Sequence, residues 1–183
     1  SSVTKLDSHG YTPLAFAVNA GQTNPELFEA FEKYGINLLE EKNDSGANLL
    51  LLAAPSLSNE AELDYFLEKG FELGSKDDIG NGIFNYTAKK GNAEFLDLLI
   101  KKGVDYKSLN AAGGNAFLFA VQGGRVYSNP LSVYEYLRDL GIEPNVVTKE
   151  GYTPLHRLAY SNTDPAIFEF FLAAGADVNQ KDA

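Results

Sequence analysis

The chain of 183 residues contains no cysteine, methionine or tryptophan, and only two histidines. Without cysteine it can form neither a disulfide nor a thiolate-ligated zinc site, and it has no thiol nucleophile. No apolar run reaches the roughly 18 residues of a membrane-spanning helix, and the first residues lack the basic and apolar segments of a signal peptide. We expect a soluble protein, in the cytoplasm by default, with export to the periplasm or the cell exterior left open because both compartments tolerate a cysteine-free chain.

Basic residues are also scarce. Lys and Arg number 15 against 25 Asp and Glu, which gives a net charge of −10 and a pI near 4.6. A surface of that sign repels phosphate backbones and anionic lipid headgroups. We therefore expect neither a nucleic acid nor a membrane as partner, and the same field favours a basic protein partner.

The chain does contain a repeated phrase, Gly151-Tyr-Thr-Pro-Leu-His156, which stands near the start as Gly10-Tyr-Thr-Pro-Leu14. Blurred copies lie between them, and their opening glycines are 33 to 38 residues apart: Gly10, Gly46, Gly80, Gly113 and Gly151. A second glycine closes each unit: Gly35, Gly70, Gly103, Gly141 and Gly175. Such a period indicates a stack of small supersecondary units and not a domain with a single core.

Within each unit the pattern predicts a helix, a turn, a second helix and an extended loop. Thr153 is a natural helix N-cap and Pro154 suits the first helical position. The closing glycine suits a left-handed residue after the second helix. The clearest predicted helices are Pro13–Asn19, Pro25–Tyr34, Ile83–Lys90 and Ala93–Lys102. Three second helices open with an N-cap residue followed by proline: Asn24-Pro25, Asn129-Pro130 and Asp164-Pro165.

The unit resembles the ankyrin repeat. The last copy carries the resemblance best, through Gly151-Tyr-Thr-Pro-Leu-His156 and Phe171-Leu-Ala-Ala-Gly-Ala-Asp-Val-Asn179, and the first through Asp7, Gly10 and Thr12-Pro-Leu14. The resemblance implies an all-α solenoid of five helix-turn-helix-loop repeats. It makes residues 1–183 a single domain with repeats at about 7–42, 43–76, 77–109, 110–147 and 148–183. Neither terminal unit has the polar outer face of a capping repeat, so the array looks cut from a longer one and we expect further repeats on at least one side.

Nothing in the chain predicts catalysis. The resemblance gives His156 a bracing role, and His9 has no second ligand at metal spacing, whereas a metal site needs at least three converging ligands. The neighbouring pairs Glu40-Glu41 and Asp77-Asp78 point apart, so we interpret them as solvated loop charge and not as general acid and base. We expect a non-enzymatic protein without cofactor or metal.

Binding is the better interpretation, because stacked repeats form an extended concave face. The resemblance places partner contacts at the loop tips and on the exposed side of the first helices. In this register those positions are Tyr11, Asn19, Asp44, Asp78, Ile79, Asn81, Lys89, Lys90, Gln122, Lys149, Glu150, Tyr152 and Tyr160. Exposed tyrosine is a favoured interface anchor, and Lys89-Lys90 is a basic point on an acidic chain.

The leading function is therefore a non-catalytic module that binds another protein through the concave face. Two alternatives stay open: an accessory or recruiting domain of an enzyme whose catalytic part lies elsewhere, and a structural spacer. The fourth unit is longer than the third between its opening and closing glycines, and the surplus falls at Arg125–Pro130. Insertions of this kind can extend a binding surface, but tolerated drift is the simpler interpretation.

Overall fold

A computed structural model describes residues 10–122, 128–161 and 164–183. The described residues form α-helices and two short 3₁₀ turns and no β-strand, which confirms the predicted all-α solenoid. The helices are α1 (Pro13–Asn19), α2 (Pro25–Lys33), α3 (Leu49–Ala53), α4 (Glu60–Glu68), α5 (Ile83–Ala88), α6 (Ala93–Lys101), α7 (Ala116–Ala120), α8 (Leu131–Asp139), α9 (Pro154–Ser161) and α10 (Pro165–Ala173), with 3₁₀ turns at Leu38–Glu40 and Ala54–Ser56. Within these ranges no helix is both long and apolar enough to cross a membrane.

The helix ends follow the predicted capping. The Thr12 hydroxyl accepts the N–H of Ala15 at 3.1 Å ahead of α1, and the side chain of Asn92 does the same for Phe95 ahead of α6. Each closing glycine has a positive φ, between 78° and 97°, so the predicted left-handed C-cap is confirmed: Gly35, Gly70, Gly103, Gly141 and Gly175. The second helices of the first and third units end one residue earlier than predicted, and α5 ends at Ala88 instead of Lys90.

Odd-numbered helices pack against one another along the chain, and the even-numbered helices cover them on one side. Helix α3 is the extreme case, because the side chains of Leu49, Leu50, Leu51 and Leu52 are all at most 3% exposed. A helix that is apolar all round must be enclosed by its neighbours. Rings fill the space between pairs of helices: Phe28 meets Phe66 at 5.5 Å, and Phe117 meets Phe171 at 5.8 Å.

Backbone hydrogen bonds join each loop tip to the next. The N–H of Asp78 donates to Ser45 O at 2.9 Å and that of Ala111 to Ile79 O at 2.7 Å. The series continues from Lys149 N to Ala112 O and from Ala183 N to Glu150 O, both at 2.9 Å. Successive loops therefore form one connected rim. Gly151 shows how close they lie, since its φ is +79° and a Cβ there would stand 2.3 Å from the carbonyl oxygen of Lys181.

The predicted cap at Asn129-Pro130 is wrong. Helix α8 begins at Leu131, with Pro130 in the N-cap position, and the Asn129 side chain is buried at 1% exposure. Its Nδ2 donates to the carbonyl oxygens of Ala88 (3.1 Å), Lys89 (3.3 Å) and Ala120 (2.8 Å). One amide therefore donates to carbonyl groups at the C-terminal ends of α5 and α7, where the last carbonyls of a helix have no partner within that helix. The remainder of the predicted insertion, 125–127, lies outside the described residues.

We expect Asn129→Ala to lower the free energy of unfolding by about 1–3 kcal/mol, because the carbonyl groups of Ala88 and Lys89 lose the donor that Asn129 supplies, whereas Ala120 O keeps the Tyr134 hydroxyl. Urea unfolding followed by circular dichroism measures the change. Asn24→Ala is the matched control, since Asn24 also precedes a proline but its side chain makes no capping hydrogen bond. The control should change stability by less than about 0.5 kcal/mol, and equal effects of the two substitutions would contradict the bridging role of Asn129.

Candidate functional site

A groove of about 410 Å³ crosses the face formed by the loop tips and the odd-numbered helices. In the part of the chain that the structure describes, its lining comes from the loops and from α1, α3, α5, α7, α9 and the residues that end them, with no contribution from an even-numbered helix. The lining residues are Tyr11, Asn19, Asn43, Ser45, Leu52, Pro55, Asp77, Ile79, Asn81, Tyr86, Lys89, Asn110, Ala112, Leu118, Phe119, Gln122, Thr148, Tyr152 and Arg157.

The repeat register explains most of this lining. Position 9 after the opening glycine supplies Asn19, Pro55, Lys89 and Gln122, and position 6 supplies Leu52, Tyr86, Phe119 and Arg157. These positions are three residues apart, close to one helical turn, so they lie on one side of the first helix of each unit. The residue three places before each opening glycine adds Asn43, Asp77, Asn110 and Thr148.

Seven of the thirteen predicted site residues line the groove: Tyr11, Asn19, Ile79, Asn81, Lys89, Gln122 and Tyr152. The other six lie outside it and are exposed: Asp44, Asp78, Lys90, Lys149, Glu150 and Tyr160. Asp44, Asp78, Lys149 and Glu150 stand at the loop tips. Lys90 Nζ donates to Ser56 Oγ at 3.2 Å, and Tyr160 is 83% exposed near the end of α9.

Asn81 was predicted to be exposed, and that expectation is wrong, because it is only 3% exposed. Its Nδ2 donates to Asp77 Oδ2 at 2.8 Å and its Oδ1 accepts from Asn110 Nδ2 at 2.9 Å. Both ends of the amide are therefore engaged within the protein. Asn81 belongs to the floor of the groove and links the third unit to the fourth.

The expectation of solvated loop charge also fails for Asp77 and Glu41, which are each 8% exposed. Asp77 accepts four hydrogen bonds, from the N–H groups of Ile79 and Asn81, from Asn81 Nδ2, and from the Tyr86 hydroxyl at 2.9 Å. Glu41 accepts the hydroxyl of Thr12. Burial and the neighbouring Asp77 carboxylate raise the pKa of Tyr86 far above its usual value, so its hydroxyl stays a donor. These carboxylates organise the loops that carry them.

The same arrangement recurs in the neighbouring loops. Asn43 Oδ1 accepts the N–H groups of Ser45 and Ala47, and Asn110 Oδ1 accepts those of Ala112 and Gly114. Such side-chain acceptors replace the backbone acceptors that a tight turn leaves missing. The floor of the groove is therefore a series of preformed polar turns.

Aromatic rings form the walls. Tyr11 meets Phe16 edge-on at 6.4 Å, and Tyr86 lies 5.1 Å from Phe119. Tyr152 stacks on His156 at 5.5 Å with 25° between the rings. His156 Nδ1 also contacts the Thr153 hydroxyl at 2.8 Å and accepts the Thr153 N–H at 3.3 Å. His156 thus braces the first turn of α9 and supports the Tyr152 ring.

Lys89 is the one predicted residue in an unfavourable electrostatic setting. Burial lowers the pKa of its ammonium, and the positive charges of Lys90 and Arg157 lower the pKa further. Within the described residues the Lys89 ammonium makes no hydrogen bond or ion pair. Its charge therefore costs stability that the fold does not recover.

Sequence reasoning missed Tyr86, Phe119 and Arg157, which line the groove one helical turn before the residues that it named. The signal was present, because position 6 after the opening glycine holds Phe16, Leu52, Tyr86, Phe119 and Arg157. Large side chains that recur at one repeat position can line an exposed face of the first helices as well as a core, so this row could have been included among the candidate residues. The polar residue before each loop tip was a second available signal.

The groove offers hydrogen-bond donors, ring faces and positive charge, and its described lining contains no paired nucleophile and base. Over the described ranges, no three His, Cys, Asp or Glu side chains come together as metal ligands. His9 lies outside the described residues. The arrangement suits reversible binding to a surface or an extended segment.

The chain matches a family model for ankyrin repeats (3 copies) over residues 84–182, more than half of its length. It is 26% identical over 162 residues to the ankyrin repeat protein FPV031 of fowlpox virus (strain NVSL), a match that covers 86% of this chain and 46% of that protein. It is 34% identical over 95 residues to the inactive serine/threonine-protein kinase TEX14 of Mus musculus, covering 52% of this chain and 6% of that protein. The chain therefore spans less than half the length of these curated relatives.

We expect Tyr86→Phe to lower the free energy of unfolding by about 1.5–3 kcal/mol, the usual range for a hydrogen bond to a charged group. The ring and its contact with Phe119 are kept, so the loss reports the bond to Asp77. Chemical denaturation of both proteins measures it. Tyr160→Phe is the control on an exposed ring and should stay within about 0.5 kcal/mol of the parent. A neutral Tyr86→Phe would show that Asp77 does not depend on this donor.

We expect Lys89→Met to raise the free energy of unfolding by about 0.5–2 kcal/mol at pH 7, since methionine keeps the apolar stem and removes an unfavourable charge. The gain is fully present below the lowered pKa of Lys89 and disappears as the pH approaches the ordinary lysine value of 10.5. Thermal and urea unfolding at pH 7 and pH 11 test both statements. Lys101→Met is the control, because the Lys101 side chain is exposed on α6, and it should hardly change the free energy of unfolding. A clear loss of stability in Lys89→Met would mean that its ammonium stabilises the fold.

Proposed function

This chain belongs to the ankyrin repeat family, whose repeats are generally protein–protein interaction modules, and from that premise we propose that it is a non-catalytic module that binds another protein in the groove. The observation that carries the proposal is the composition of the groove wall. Tyr11, Gln122 and Tyr152 stand partly exposed above a floor whose own polar groups are already paired. Side chains that line the groove with part of their surface exposed can contact a partner without unfolding the floor beneath them.

The groove is also preorganised. Loop tips are tied to one another by backbone hydrogen bonds of 2.7–2.9 Å, and Asp77 and Asn110 hold the turns that present them. A surface that does not have to be ordered on binding avoids part of the entropic cost of association. Tyrosine adds contact area with few rotatable bonds, which is why it is frequent among interface hot spots.

Charge at the rim favours basic side chains on the partner. Asp44 and Asp78 are exposed at adjacent loop tips, and the chain as a whole carries −10. The field of such a surface steers a basic protein during encounter, although it contributes more to the association rate than to the affinity. The loop tip of the last unit carries Lys149 and Glu150, which place one charge of each sign beside the groove.

A recruiting domain within a longer enzyme is the second reading, and it uses the same groove. The match to a small part of a much longer protein supports the placement of such repeats beside other domains, but that protein is named an inactive kinase. In that case the bound protein would be what the rest of the longer protein acts upon or assembles with. A structural spacer, in contrast, would bind nothing specific in the groove.

Affinity capture from the source cells with three versions of the chain tests the proposal. The groove variant carries Gln122→Ala and Tyr152→Ala. The matched control carries Ser132→Ala on α8 and Tyr34→Ala, whose ring is 80% exposed after α2; it removes the same kinds of side chain away from the groove. Circular dichroism first establishes that all three fold alike.

A genuine groove partner is retained by the parent and the control, and its yield falls about tenfold or more with the groove variant, as expected for the loss of a tyrosine hot spot. Equal retention by all three would place the interface elsewhere. Retention of nothing by any of them would favour the spacer.

A further inference from the structure

The charge in the middle of the groove is opposite to the charge of the chain. Lys89 and Arg157 both line it, from the third and the last unit, and Lys90 stands beside them. Among the described residues that line the groove, the one carboxylate is that of Asp77. This carboxylate already accepts four hydrogen bonds within the protein.

The Lys89 ammonium is thus a partly buried cation that has no anion beside it among the described residues. Burial and the two neighbouring positive charges lower the pKa of Lys89, and over the described residues no carboxylate contacts its ammonium. Desolvated charges normally occur paired. Where a chain keeps an unfavourable charge that the fold does not use, a ligand that supplies the missing partner is the natural explanation.

We propose that the groove receives a carboxylate side chain, from an aspartate or glutamate on an extended segment of the partner, between Lys89 and Arg157. The assignment rests on the proposed function and specifies the chemistry of what the groove binds. An arginine beside a lysine suits a carboxylate, because the guanidinium fork can bond both of its oxygens. Gln122 and Asn19 supply amide groups for the segment's backbone, and the Tyr86 and Phe119 rings flank its stem.

The acidity of the chain does not oppose this. Exposed charges farther away than about 8 Å are largely screened at physiological salt, whereas partly buried pairs in contact are not. The loop-tip aspartates lie on the rim, and the cations line the groove itself. A segment with an acidic residue at its centre and basic residues on either side would match both the cations in the groove and the aspartates on the rim.

A selection of random linear dodecapeptides displayed on phage tests the proposal with the folded chain as bait. Three baits are run in parallel: the parent, the variant Lys89→Met with Arg157→Met, and the charge-matched control Lys33→Met with Lys101→Met, whose lysines are exposed on α2 and α6. Bound phage that are lost on Gln122→Ala with Tyr152→Ala identify groove binders.

We expect groove binders from the parent and the control to be enriched in aspartate and glutamate at one position, and those from the Lys89/Arg157 variant to lack the enrichment. Groove binders without acidic enrichment would overturn the carboxylate assignment and leave the proposed function standing. A selection that yields no groove binder at all would count against both.

Fluorescence anisotropy with the best synthetic peptide then measures the pairing directly. Changing its central glutamate to glutamine should weaken binding to the parent about tenfold or more, as for other close charge pairs, and should change binding to the Lys89/Arg157 variant less than about twofold. Equal weakening on both proteins would overturn the pairing. A third peptide carries phosphoserine at that position, and if it bound more tightly than the glutamate peptide it would assign the site to a phosphate instead.

Discussion

The chain of backbone hydrogen bonds along the loop tips is the contact on which the rest of the structure depends. It runs from Ser45 to Asp78, from Ile79 to Ala111, from Ala112 to Lys149 and from Glu150 to Ala183, at 2.7–2.9 Å. Helices of five to nine residues are too short to be stable alone, so their relative positions depend on packing and on this rim. The opening glycine of each unit has a positive φ, which side chains with a Cβ rarely adopt. At Gly10, Gly46 and Gly151 a Cβ would also clash with the next loop.

This rim fixes what the groove can present. Because Asp77, Asn81 and Asn110 satisfy one another, the groove floor needs no ligand to complete it. The groove walls differ from the floor in this respect, since Lys89 carries a charge that has no counterion among the described residues. Under the proposed function, stability and binding therefore separate spatially: the loop floor holds the array together, and the exposed turn of the first helices is the part assigned to the partner. In a repeat array this division can vary from unit to unit without altering the stack.

The period of the glycines predicted the all-α stack, and the four helices whose bounds were predicted lie within two residues of those bounds. Seven of the candidate residues line the groove, because equivalent positions in successive repeats lie on the same face of a solenoid. The repeat register did not predict which loop side chains are buried. Asn81 and Glu41 look like surface loop residues in any local window, but Asn81 bonds Asn110 and Glu41 bonds Thr12, each 29 residues away. Asp77 is buried by bonds from its own unit, and the glycine period does not specify the direction of those side chains. The bridging role of Asn129 was not predicted because its bonds run to the carbonyls of Ala88 and Lys89, about 40 residues earlier in the chain.

Photo-crosslinking in the source cells tests most directly that this groove holds another protein. A benzophenone side chain at Gln122 lies in the groove, and the same group at Ser132 lies at an exposed position of α8. The account predicts a discrete covalent adduct after irradiation from position 122 and none of that size from position 132. An adduct from position 132 alone, with position 122 silent, would contradict it.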